Sequence, residues 1–330
     1  MKRLILLCIA SSIALVLGAS ASAAPPPQTW TAGTAVPEPA GVEGACTATI
    51  GDSIYVAFGF SAGDSNRLRI YNIADGTWTV GPSAPTAGRS EFYKGVAHGG
   101  TLYCAFGRST TETWSFTPAT GTWTSQAPTP DLRAGTAADS WGNSIYYFGG
   151  RHALFGPCNG PPVTSADPDG TIVRYDIDTN SWSPAGNLAV PVTDATATTV
   201  GGLVYIFGGC DSTGNAVSTV QIYDPRTQTT TLGTPMPSPR SDASSAAAGP
   251  HTIRVVGGEA ASTNPPNNHL IYDVNTGTFS TGPSLPTHCP AGVGRGEFDL
   301  ESHGDRLFAI AGSCPGFGAS INNLDILKLS

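Results

Sequence analysis

VYIFGG at residues 204–209 is the phrase on which the fold turns. With substitutions it returns as IYVAFGF (54–60), LYCAFGR (102–108), IYYFGG (145–150), IRVVGG (253–258) and LFAIAG (307–312). An apolar run this short, closed by glycine, reads as a buried strand that stops at a turn. The closing glycines are Gly59, Gly107, Gly150, Gly209, Gly258 and Gly312. They recur at about fifty residues, the spacing of a four-stranded propeller blade.

Downstream of five of these phrases lies a second one. YNIADGTW (71–78), YDIDTNSW (175–182) and YDVNTGTF (272–279) share a frame that FTPATGTW (116–123) and YDPRTQTT (223–230) also fit. An aromatic residue, a polar turn and a returning position make a hairpin. The sixth hairpin is completed from the front of the chain, where TWTAGTAVP (29–37) matches TWTVGPSAP (77–85). The expectation is an all-β, six-bladed propeller over residues 24–330. The N-terminal strand closes the last blade, with Trp30 beside Ile326 and Leu327, and this pairing removes open sheet edges.

Residues 1–23, MKRLILLCIASSIALVLGASASA, have the form of a secretory signal: two basic residues, an apolar core and an Ala-Ser-Ala cleavage site. Export to the periplasm or the medium is expected, with no membrane span once the leader is removed. The chain carries only 12% charged residues and a net charge of −8, with 41 Gly and 27 Pro. That composition suits short strands and turns. It lacks the basic patch that nucleic acid requires. Beyond Cys8 in the leader there are six cysteines, an even number that reads as three disulfides. Shared faces of neighbouring blades pair Cys158 with Cys210, Cys289 with Cys314, and Cys46 with Cys104.

The GG doublets at 149–150, 208–209 and 257–258, with the Tyr…Trp pairs of the hairpins, resemble the kelch-repeat family. The resemblance covers residues 28–330 and implies the propeller fold. Blades 1 and 2 depart from it at Phe58-Gly59 and Phe106-Gly107. The aromatic and glycine positions are read as packing between blades.

GRSEF (88–92) and GRGEF (294–298) fall at one place when the blades are registered on their closing glycines. Arg89, Arg133, Arg240 and Arg295 share that place, and Glu43, Glu91, Asp194, Asp242 and Glu297 follow close behind it. It is the entry to the first, innermost strand, so radial repetition gathers these groups around one mouth of the central channel. Two uses are open: pairing between neighbouring blades, or a ligand mouth of fixed Arg and carboxylate groups. The loops after the glycines lie on the same face. The blade 3 loop, residues 151–170, is the longest and offers Arg151, His152 and Phe155 as ligand contacts. Its DPDG (167–170) reads as a turn. His98 and His303 hold equivalent turn positions on the far face.

Function divides three ways. The first reading is a monomeric, non-catalytic exported module that binds a glycan or a protein at the mouth, without cofactor or metal. The second is a sugar-modifying enzyme. The secreted six-bladed kelch family that epimerises N-acetylneuraminate is the nearest model, with Glu91 or Glu297 moving a proton. A copper oxidase of the galactose oxidase type is the third; its seven blades and its Tyr/His/Cys copper set fit less well.

Overall fold

The computed structural model describes residues 28–63, 65–86, 94–107, 110–152, 168–259, 268–286, 288–290, 294–314 and 319–329. The expected leader lies outside them. The described residues form six four-stranded antiparallel sheets and no helix. Consequently none of them forms a helix long and apolar enough to cross a membrane.

Each sheet is a blade whose strands run outward from the axis in chain order, except that the outer strand of the last blade comes from the N-terminus. Blade 1 is Cys46–Ile50, Ser53–Ala57, Leu68–Asn72 and Thr77–Val80. The first strands of the next four blades are Lys94–His98, Ala137–Trp141, Thr196–Val200 and Ser244–Ala247. Blade 6 consists of Asp299–His303, Arg306–Ile310 and Leu324–Lys328, and its outer strand is the N-terminal Trp30–Ala32. Trp30 stands opposite Leu327 and Thr31 opposite Ile326, the closure expected from sequence. A short ribbon, Ser313–Cys314 with Ala319–Ser320, adorns the mouth side of this blade.

The apolar phrases become second strands because each is covered on both sides by neighbouring blades. Ile145, Tyr146, Tyr147 and Phe148 are all buried, as are Val204, Tyr205, Ile206 and Phe207. Outer strands face water on one side and alternate accordingly, with Trp78 and Trp123 half-buried between exposed threonines. Each of these tryptophans also fastens its blade to the one before. Trp78 Nε1 donates to Thr34 O, Trp123 to Pro82 O, Trp182 to Ala127 O and Trp30 to Pro283 O, at 2.8–2.9 Å. Thr230 Oγ1 does the same for blade 4, donating to Asn187 O at 2.7 Å. Blade 5 has Phe279 at this place, which has nothing to donate.

Cys46–Cys104 joins blade 1 to blade 2, and Cys289–Cys314 ties the entry of blade 6 to its mouth-side loop. A closed loop of this kind stabilises by roughly 2–4 kcal/mol. Cys210 is also disulfide-bonded. Cys158, its expected partner, lies outside the described residues. On the far face His98 Nε2 meets Asn143 Oδ1 at 2.8 Å and His303 Nε2 meets Asp52 Oδ1 at 3.1 Å. Both histidines thus link a hairpin turn to the turn of the next blade.

Candidate functional site

The arginines shared by the repeats go inward. Arg133, Arg240 and Arg295 are at most 2% exposed. Each donates to the carbonyl just before its blade's closing glycine: Arg133 to Gly149 O at 3.2 Å, Arg240 to Gly257 O at 3.2 Å, and Arg295 to Ala311 O at 2.6 Å. Their remaining hydrogen-bond and ion-pair partners belong to the same blade, while the Arg133 guanidinium also lies over the Phe106 ring of blade 2, 5.6 Å from its centroid. Arg133 holds Asp131 at 2.6 Å and Asp169 at 3.1 Å, Arg240 holds Asn268 Oδ1 at 2.7 Å, and Arg295 holds Asp325 at 2.7 Å. Blade 1 has Val42 where the arginine would stand, and Arg69 reaches the equivalent carbonyl, Phe58 O, from the third strand at 3.0 Å.

These contacts correct both uses expected from sequence. Arg133, Arg240 and Arg295 do not line the mouth, and their hydrogen bonds and ion pairs staple each blade to itself. The cause is the strand end beside the glycine, whose carbonyls are buried and need donors. Burial pushes the guanidinium of Arg240 down to about 10. It does the same to Arg295, which Asp325 partly offsets. Arg89 and Glu91 lie outside the described residues, as does Phe155.

The acids go to the axis. Asp194, Asp242 and Glu297 occupy one position in blades 4, 5 and 6, linked by the backbone. Asp194 N donates to Gly135 O at 2.7 Å, Asp242 N to Asp194 O at 2.8 Å, Glu297 N to Asp242 O at 3.2 Å, and Gly44 N to Glu297 O at 3.3 Å. This chain of amides runs around the mouth from blade 3 to blade 1. All five residues are left-handed: φ is 65° at Gly135, 56° at Asp194, 51° at Asp242 and Glu297, and 56° at Gly44. Glu43 is therefore one residue early. It bridges to Phe60 as Ser241 bridges to Glu259, and Gly44 takes the ring place in blade 1.

A second tier comes from the residue after each closing glycine: Arg151 in blade 3, Glu259 in blade 5 and Ser313 in blade 6. Arg151 reaches across to blade 4, where Nη1 pairs with Asp194 Oδ2 and meets Thr193 Oγ1 at 3.3 Å. Ser313 Oγ donates to Glu297 Oε2 at 3.3 Å. Two glycines make room for the carboxylates. A Cβ on Gly135 would stand 2.2 Å from Asp194 Oδ1, and one on Gly296 would stand 2.8 Å from Glu259 Oε1.

Crowding shows in proton affinity. Burial, then Asp194 and Glu297, raise Asp242 well above the usual carboxylate range. Burial, then Asp242, Asp194 and Glu43, push Glu259 up to about 8. Burial works against the Arg151 charge, but Asp194, Asp242 and Glu297 raise its guanidinium above its ordinary value. Among the described residues the mouth therefore carries more carboxylates than cations, with Arg151 facing them and Lys94 lining the space just below.

Of the blade 3 loop residues, Arg151 thus belongs to the mouth, while His152 lies beside the staple. Its Nε2 is 3.9 Å from Asp131 and 3.6 Å from Asp169, the two acids already bridged by Arg133. Those three residues are grouped tightly enough for a metal ion. The buried guanidinium between the two carboxylates already supplies the counter-charge there. Two residues of this region were missed from sequence. Glu259 could have been found by reading the residue after each closing glycine around the wheel. Arg69 had no repeated signal at all.

Comparison with known proteins agrees with this architecture. The family model for the KLHDC2/KLHL20/DRC7 Kelch-repeats domain matches residues 125–312. Kelch-like protein terF of Aspergillus terreus is 28% identical over 224 residues, which cover 63% of this chain and 47% of that protein. Human Kelch-like protein 33 is 26% identical over 172 residues, covering 50% of this chain and 30% of that one. The chain spans less than half the length of these curated relatives. The solved structure of YjhT superposes with a TM-score of 0.72 at 16% identity, covering 88% of this chain and 95% of its own. That identity speaks for the fold alone. With more than half its length matched by the family model, this chain belongs to the kelch-repeat family.

Proposed function

We propose that this propeller is an exported binding module that holds a protein partner on its mouth face through a basic segment of that partner. The observation that carries the reading is the run Asp194, Asp242 and Glu297. These are L-residues kept in a left-handed backbone position that blades 1 and 3 fill with glycine. That conformation costs Glu297 about 1–2 kcal/mol, and the two aspartates, which adopt it more readily, less. Such positions concentrate at functional sites. A guanidinium or ammonium brought between the carboxylates forms charge-assisted bonds. A surplus of one sign among the described mouth residues also steers an oppositely charged partner into register.

Membership of the kelch family supports a protein-interaction role. Disulfides persist in oxidising compartments, which fits delivery by the expected leader. An N-acetylneuraminate epimerase has less support, because Arg133, Arg240 and Arg295, three of the arginines expected to meet the sugar carboxylate, lie inside the blades.

The test is binding of the mature chain to immobilised basic and acidic peptides and to sialylated and neutral glycans. Lys- and Arg-rich peptides should be retained, more weakly as salt rises. The D194N/D242N/E297Q variant should lose that retention. Preference for acidic peptides or sialylated glycans, or retention unchanged in the variant, would overturn the reading.

A further inference from the structure

Behind the mouth the axis opens into a cavity of about 260 Å³ walled by the first strands. It is continuous with the mouth, since Lys94, Ala195 and Asp299 line both spaces. The wall consists of alanines and hydroxyl-bearing residues, broken by Lys94 and three carboxylates: Asp139, Asp299 and Glu301. Asp139 stands on blade 3 and the other two on blade 6, three blades apart and so on opposite sides of a six-bladed wheel.

The carboxylates are fixed in place. Asp139 Oδ2 accepts from Thr199 N at 2.6 Å, Asp299 Oδ2 from Thr47 Oγ1 at 2.6 Å, and Glu301 Oε2 from Thr49 N and Oγ1 at 2.9 and 2.7 Å. Each donor belongs to the next blade, so the acids also clip neighbours together around the bore. Acceptor capacity remains, because an ionised carboxylate offers about four lone-pair sites.

We propose that the bore binds a linear aliphatic amine with two or more ammonium groups, entering through the acidic mouth and lying along the axis. The shape of the cavity and the placing of its charges select this ligand class. Its volume lies below the roughly 300–1,000 Å³ of pockets for drug-sized ligands, which suits a narrow chain. None of the described residues that line it is aromatic, so they offer a sugar ring no face to stack on. The three carboxylates do not belong to any group close enough to share one metal ion among the described residues. An extended ligand meets acceptors on facing walls, and its methylenes lie against the alanine methyls. Ionising Asp139, Asp299 and Glu301 together is disfavoured by burial, which pushes Glu301 up to about 7 and also raises Asp139 and Asp299. The charged groups that face them are Lys94 in the bore and Arg295 behind Asp299. An incoming ammonium therefore replaces protons.

The amine site deepens the reading of the mouth as a receptor for positive charge. It can fail while peptide binding stands, because the two depend on different carboxylates. Calorimetry with spermidine, 1,5-diaminopentane, n-pentylamine and calcium ion tests it on the mature chain at pH 6, where Glu301 still holds its proton, and at low salt. Spermidine should bind saturably at one site and more tightly than the diamine, with net proton release read from two buffers of different ionisation enthalpy. Glu301→Gln, which keeps the shape and one acceptor, should weaken it on the order of tenfold. Asp75→Asn, in a hairpin turn of blade 1, should leave it unchanged. Absence of saturable binding, n-pentylamine or calcium binding as well as spermidine, equal affinity in Glu301→Gln, or binding without proton release would each overturn the proposal. A lysine peptide that displaces spermidine would identify a partner's lysine as the source of the ammonium; displacement by free amines alone would identify a soluble polyamine.

Discussion

The blade interiors and the mouth handle charge in opposite ways. Inside the blades a single guanidinium meets carbonyls and acids of its own repeat: Arg295 holds Asp325 and three backbone carbonyls and is fully buried. At the mouth, carboxylates from successive blades meet one another. Asp242 and Glu259 gain proton affinity from burial and their neighbours' charge. A charge whose partners lie within its repeat is scaffold, since removing it leaves buried groups unpaired. Carboxylates brought together across repeats are held there at a cost in stability, and an external cation would relieve it.

The largest expected effect tests the wheel on which both regions depend. Removing residues 24–40 deletes the outer strand of blade 6 and Glu38, the acid that pairs with buried Arg69 at 2.7 Å. Cooperative unfolding should be lost; an unchanged thermal melt would break the closed-ring account. Next comes Arg295→Ala, which removes the buried counter-charge of Asp325, leaving it His288 at 2.8 Å, and takes the donor from three backbone carbonyls; it should destabilise by about 3–5 kcal/mol in denaturant titration. Retained stability would move Arg295 out of the scaffold. Trp123→Phe copies what blade 5 already has in Phe279. It should cost about 1 kcal/mol, the worth of one hydrogen bond.

The smallest effect concerns pH. Glu259 has a folded-state value of about 8 against an ordinary 4.5, so the folded chain keeps a proton that the unfolded chain has lost. Its contribution to stability is therefore present at low pH and falls away as pH rises through about 8. Melting temperature should decline between pH 5 and pH 8, and Glu259→Gln should flatten that decline. A steeper decline in the variant would show that Glu259 is not the titrating group.

Much of this was legible in the sequence, and the limits have physical reasons. Period and strand pattern sufficed for six blades and for the pairing of Trp30 with the strand that contains Ile326 and Leu327, because the same burial problem is solved six times. Counting from the closing glycine found the arginines but not their direction. A side chain beside that glycine can turn inward or toward the axis, and the buried carbonyls Gly149 O, Gly257 O and Ala311 O decide. Counting also misplaced Glu43 by one residue, since the blades differ by one residue in this segment and only the pairing with Phe60 reveals it. Asp139, Asp299 and Glu301 were passed over as strand residues. Acids on an innermost strand, two apart in blade 6 and so on one face, were the available signal.

The central claim is that the arginines are scaffold and the mouth acids a site, and one pair of melts tests it most directly. Arg240→Ala and Asp242→Asn change neighbouring residues on the two sides of the comparison. At pH 8 Arg240→Ala should lower the melting temperature, because Gly257 O and Asn268 lose their donor. Asp242→Asn should raise it, because one of the crowded carboxylates is gone, and at pH 5 that gain should shrink. A fall in both variants at pH 8 would contradict the account, since the mouth acids would then hold the wheel together as the arginines do.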